Sequence, residues 1–143
     1  MISFWEHAAT AKLYQQWWGG ETEGLLSEGG LYDNGPMLEF FENEFEGLSP
    51  KRDVSIGLTD LLSGNYRVLN NSDINSKEDL KGALKASFSF PGVFPPHQGF
   101  GSEFVDGTSI ISLDVFSAVN ACLKKTGGKQ EDVLVDVIMT TRD

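Results

Sequence analysis

The sequence predicts an α/β fold with a mostly parallel central sheet flanked by helices. Three observations predict it. Apolar patterns of period two and of period 3.6 follow one another as strand, helix, strand, helix, strand, the order that builds helix-covered sheets. The run Val133-Leu134-Val135-Asp136-Val137-Ile138-Met139 is apolar apart from one acid, as expected for a strand covered on both faces. A short strand-like segment, Glu103 to Val105, ends on Asp106-Gly107. An acid at a strand end beside a glycine turn is where an α/β sheet places chemistry.

The elements follow in order. Trp5, Ala9, Leu13 and Trp17 recur at four-residue spacing, so a helix is expected from Met1 to Trp18, ended by Gly19-Gly20. Its tryptophans need a partner surface, either the core or a further segment of the domain. Glu21 to Leu31 reads as a turn or short helix. Asp33 or Asn34 can cap the next helix, with Pro36 in its first turn; Leu38, Phe41, Phe45 and Leu48 form its stripe and Gly47 its stop. Val54, Ile56 and Leu58 alternate with polar residues, which predicts a strand. The turn Ser63-Gly64-Asn65 leads to a second strand at Tyr66 to Leu69.

A polar loop, Asn70 to Asn75, precedes Ser76-Lys77-Glu78-Asp79, a capping-box variant that opens a helix reaching Phe88. Leu80, Leu84 and Phe88 are its apolar stripe. Pro91-Gly92 stops it, because Pro91 has no N–H to donate and Gly92 accepts angles that other residues resist. Phe94-Pro95-Pro96 is stiff and extended. Asp114 or Ser112 opens a last helix, with Phe116, Val119 and Leu123 at helical spacing and Lys124-Lys125 at its negative end. Cys122 is expected as a small buried hydrophobe.

Composition bounds the function. The chain has 143 residues, enough for one core, with 40% apolar and 22% charged residues. A net charge of −10 argues against a nucleic-acid partner, which needs clustered Lys and Arg, and limits membrane contact to a peripheral one at most. The single cysteine forms no internal disulfide.

The stretch Ala86-Ser87-Phe88-Ser89-Phe90-Pro91-Gly92-Val93-Phe94-Pro95-Pro96, followed by Phe104-Val105-Asp106-Gly107, resembles the patatin-like phospholipase family. Weaker counterparts are Trp17-Trp18-Gly19-Gly20, Gly30-Leu31-Tyr32-Asp33 with Pro36-Met37-Leu38, and Leu58-Thr59-Asp60-Leu61. The resemblance runs from about Leu13 to the C-terminus. It implies a patatin-like three-layer fold and hydrolysis of a lipid ester by a Ser–Asp dyad, with Asp106 as the acid and no metal or organic cofactor. Two departures stand out. The family's nucleophile motif, G-x-S-x-G, is absent from these residues; Leu25-Leu26-Ser27-Glu28-Gly29 lacks the first glycine. The residue after Gly107 is Thr108, where the family has Gly or Ala. Residues 1–143 are therefore expected to be the C-terminal portion of the domain, inactive alone, with the nucleophile on a missing N-terminal segment or a second chain. The alternative is a non-catalytic binding or interaction module.

Other candidates read as structure. Ser27 has no base beside it. Glu39, Glu42, Glu44 and Glu46 read as a solvated face. Asp60 is expected to hold backbone N–H groups of its turn. His97 reads as a loop residue, and neither it nor His7 has partners at metal-ligand spacing. Phe88, Phe90, Phe94 and Pro95 line either an acyl-chain groove or the core.

Overall fold

A computed structural model describes residues 2–46 and 52–138. The chain divides into two units, Met1–Ser112 and Leu113–Asp143. In the first unit, α1 (Ile2–Thr10) leads to β1 (Gln15–Gln16), α2 (Gly20–Glu23), a π-helical turn (Gly24–Glu28), β2 (Tyr32–Asp33) and α3 (Gly35–Glu44). Then come β3 (Ile56–Asp60), β4 (Tyr66–Leu69), α4 (Lys77–Phe88), β5 (His97–Gly99) and β6 (Ser102–Asp106), closed by a 3₁₀ turn, Gly107–Ser109. The second unit holds α5 (Val115–Lys125) and a short 3₁₀ turn, Gln130–Asp132.

The mixed α/β class holds. The strand pairing does not follow the expected parallel pattern: the described sheets are antiparallel, a two-stranded β1-β2 pair and a four-stranded sheet in the order β4-β3-β6-β5. The reason lies in the connections. β3 joins β4 through the short turn Leu61 to Asn65, and β5 joins β6 through Phe100-Gly101. A parallel neighbour needs a crossover of about a dozen residues or more. α4 does supply a long connection, but it joins β4 to β5, which lie at opposite edges of the sheet.

The Phe100-Gly101 turn has positive φ at both residues, 49° and 79°. Two positive values are what a tight hairpin of right-handed strand twist demands. Phenylalanine is an uncommon residue there, so the expected loop at His97-Gln98 hid an edge strand. Two contacts hold Phe100 in place. Its carbonyl accepts a hydrogen bond from the Arg67 guanidinium at 3.0 Å, and its ring meets that of Phe104 edge-on at 6.4 Å.

Register decides which side chains face α4. Ile56 lies opposite Leu69, Leu58 opposite Arg67 and Asp106, and Asp60 opposite Phe104. Opposed residues share a face. That face packs on α4, and its buried core is Ile56, Leu58, Leu69 and Phe104 against Ala83 and Ala86. The two alanines let the helix approach the sheet closely. Ser76 and Asp79 form the expected capping box at the start of α4, each side chain accepting the other's backbone N–H at 3.0 Å.

Three further expectations are corrected. The N-terminal helix ends at Thr10, not Trp18. The Thr10 hydroxyl bonds the carbonyls of Glu6 and His7, and the chain turns out to pair Gln15-Gln16 with Asp33-Tyr32. The Trp17 indole N–H donates to the Gly30 carbonyl at 3.0 Å, a partner that a longer helix would not have given it. Cys122 is exposed, because α5 contains no fully buried side chain. Residues 133–138 form no helix and pair with no strand among the described residues, and Leu134 and Ile138 are almost fully exposed. A run of apolar residues makes a strand only where a ladder partner is within reach. Gly47, Leu48, Met139, Thr140 and the side chain of Trp5 lie outside the described residues.

Candidate active site

Asp106 is the last residue of β6. Its backbone is held on both sides. The N–H donates to the Ser89 carbonyl at 3.0 Å, and the carbonyl accepts the Thr59 hydroxyl at 3.1 Å. Ser89 ends α4, so the acid sits where the helix C-terminus and the strand C-terminus meet. Its carboxylate Oδ1 accepts the Thr108 N–H at 2.9 Å, which caps the 3₁₀ turn. Among the described residues Oδ2 has no hydrogen-bond partner. One oxygen is therefore used to orient the carboxylate, and the other is unengaged among the described residues.

The glycine after the acid has a steric reason. A Cβ on Gly107 would fall 2.5 Å from the Gly57 carbonyl oxygen of β3. Backbone approaches of this kind exclude any side chain. Thr108, in contrast, contributes only its N–H; its side chain is exposed, so a β-branched residue fits the turn that the sequence led one to question.

Phe88 and Phe90 are 47% and 53% exposed, so the core reading does not describe them. Phe94 and Pro95 are half-buried, and the Phe94 ring touches Tyr14 at 6.1 Å. Ile110 and Ile111, just past the acid, are also exposed. The acid is thus followed and preceded in sequence by apolar side chains open to solvent. Two clefts outlined by the described residues lie elsewhere. One, lined by Ile74, Ser76, Leu80 and Lys81, is at the opposite end of α4, and the other, lined by Leu62 and Gln98 to Glu103, is at the start of β6.

The other candidates fall where residue type suggests. Asp60 Oδ1 accepts from the Ser102 hydroxyl at 2.7 Å and from the Leu62 and Ser63 N–H groups at 2.9 and 3.2 Å. The Ser102 bond, helped by the two N–H groups, holds its carboxyl below the usual carboxylate value despite some opposing desolvation. It is a turn anchor. Glu42 pairs with Lys81 and Glu44 with His7. Ser27 is exposed.

His97 lies on β5 against α4, where a Cβ on Gly82 would come within 2.9 Å of its Nε2. Burial pushes the imidazole below its ordinary value, and Lys85 adds to the shift. The unfolded chain then binds a proton, near roughly pH 6.5, that the folded chain refuses. Stability from this group is full above that pH, falls as pH drops through it, and stops falling below the folded-state value. Urea midpoints measured at pH 7.5 and pH 5.5 should show a larger loss for the native chain than for His97→Gln; equal losses would remove His97 as the cause.

The Asp106 carboxylate thus stands at the C-terminal end of β6 with one oxygen bound to the Thr108 N–H. A family model described as patatin-like phospholipase matches residues 1–119. The chain belongs to the patatin-like phospholipase family, a family of lipid acyl hydrolases. No curated protein and no solved structure matches it.

Proposed function

We propose that the chain is the base-bearing portion of a lipid acyl hydrolase domain, with Asp106 as the dyad acid. The observation that carries this reading is the Asp106 carboxylate itself, with Oδ1 bound to the Thr108 N–H and Oδ2 open. A serine hydroxyl is a poor nucleophile until a base within hydrogen-bond reach accepts its proton. Oδ2 would take that proton as the serine oxygen attacks the ester carbonyl, and would return it to the leaving alcohol. Water then repeats the cycle on the acyl-enzyme. Phe88, Phe90, Ile110 and Ile111 would offer apolar surface to the acyl chain.

The nucleophile is proposed to come from a segment outside these 143 residues, either N-terminal to them or on another chain. The absence of G-x-S-x-G supports this. So does the apolar surface left near the N-terminus: Trp18 is fully exposed, Tyr14 is 52% exposed, and Leu13 and Trp17 are half-buried. A second reading, a non-catalytic patatin-like binding module, is favoured by the same missing motif. Joining an N-terminal segment that carries a Gly-rich oxyanion loop and G-x-S-x-G separates the two. Ester hydrolysis appearing in the joined protein, and absent from the 143-residue chain, supports the hydrolase; no gain favours the binding module.

A further inference from the structure

We propose that Asn34 is a positioning residue for Asp106, acting through Ser89. The proposal rests on Asp106 being the base, and it assigns the residues that fix where that base stands.

Asn34 precedes α3 at the N-cap position. An asparagine there ordinarily turns its side-chain oxygen onto the N–H groups of its own helix. Asn34 makes no such bond. The neighbouring Asp33 does part of that work, its Oδ1 accepting the Gly35 N–H at 2.7 Å. The Asn34 side chain is turned inward instead and is completely buried. Its Nδ2 donates to the Ser89 hydroxyl at 3.4 Å, while its Oδ1 is buried without a partner. Leaving a buried acceptor unsatisfied is costly, so this orientation does not serve the stability of α3.

What it does serve is the position of Ser89. Ser89 is also completely buried, and its hydroxyl donates to the Lys85 carbonyl at 2.9 Å while accepting from Asn34. The donor and acceptor roles are thereby fixed: the one hydroxyl proton points to Lys85, so the Asn34 amide nitrogen must face Ser89. The carbonyl of this same Ser89 holds the Asp106 N–H. Two further backbone bonds, Leu31 N–H to Gly92 and Tyr32 N–H to Val93, lay the chain before Asn34 alongside the chain after Ser89. Asn34 is thus two hydrogen bonds away from the backbone of the base, through one residue that has no freedom to turn.

The test uses Asn34→Leu, which keeps the number and branching of heavy atoms and removes both polar atoms, and Ser89→Ala, which removes the link from the other side. In the 143-residue chain, the Asp106 amide should exchange about tenfold faster in each variant, while β3–β4 amides keep their rates. In the joined protein, kcat should fall on the order of 10- to 100-fold with KM unchanged, the mark of a misplaced base rather than a lost binding contact. The double variant should cost no more than the larger single one, because the two residues act in series. Unchanged Asp106 exchange in folded single variants, or full additivity in the double, would overturn the proposal. Unfolding of both single variants would overturn it too, by making the pair a core element. A joined protein without Asp106-dependent activity refutes the hydrolase reading, and the exchange rates then decide the positioning claim by themselves.

Discussion

Asp106→Asn in the joined protein is expected to lower kcat on the order of 10²–10⁴-fold. The substitution isolates chemistry from shape. An asparagine Oδ1 can still accept the Thr108 N–H, so the 3₁₀ turn keeps its cap. The backbone bonds to Ser89 and Thr59 do not involve the side chain. What changes is the second atom: Oδ2, which can take a proton, becomes an amide nitrogen, which cannot. Thermal unfolding of the variant should therefore match the parent while ester hydrolysis collapses. Hydrolysis that survives Asp106→Asn at its original rate would refute the dyad assignment. Activity in the unjoined chain would refute it in another way, by revealing a nucleophile among these residues. Ser89 is a poor candidate for that role, being completely buried with its hydroxyl committed to Lys85.

Phe104→Ala should destabilise the first unit by about 3–5 kcal/mol. Phe104 is fully buried on the α4 face of β6, two residues before the proposed base. Its ring meets Phe100 and lies beneath the Arg67 guanidinium, 5.5 Å from the ring centroid. Truncation opens a cavity and strips the contacts that steady Phe100 in its positive-φ turn. Total stabilities of about 5–15 kcal/mol make this a large fraction of what holds a domain together. Denaturant unfolding gives the measurement, with Phe116→Ala as the comparison. Phe116 is 84% exposed, and its loss should stay within about 0.5 kcal/mol. Equal losses for the two variants would mean that β6 is not in the core.

Much of the site was legible in the sequence because its signals are local. Pro91-Gly92 must end a helix wherever it stands, and Ser76 with Asp79 caps one by contacts within four residues. Asp106 could be singled out because an acid, a glycine and the preceding apolar residues are adjacent in the chain. The need for glycine at position 107 was visible, but its cause was not, since the clash is with Gly57, fifty residues away in sequence. Asn34 carried no signal beyond that of an ordinary helix cap. Its partner Ser89 is 55 positions distant, and only folding brings the two together.

The sequence by itself determined the α/β class, the start and end of α4 and the acid on which the chemistry is proposed to turn. Each follows from backbone and side-chain preferences acting over a few residues. Tertiary structure decided the direction of the strands, the edge strand at His97–Gly99, the end of the first helix at Thr10 and the exposure of Cys122. Those depend on which segments find a ladder partner or a covering surface, and a hydrogen bond between distant strands leaves no mark on the spacing of residues within either one.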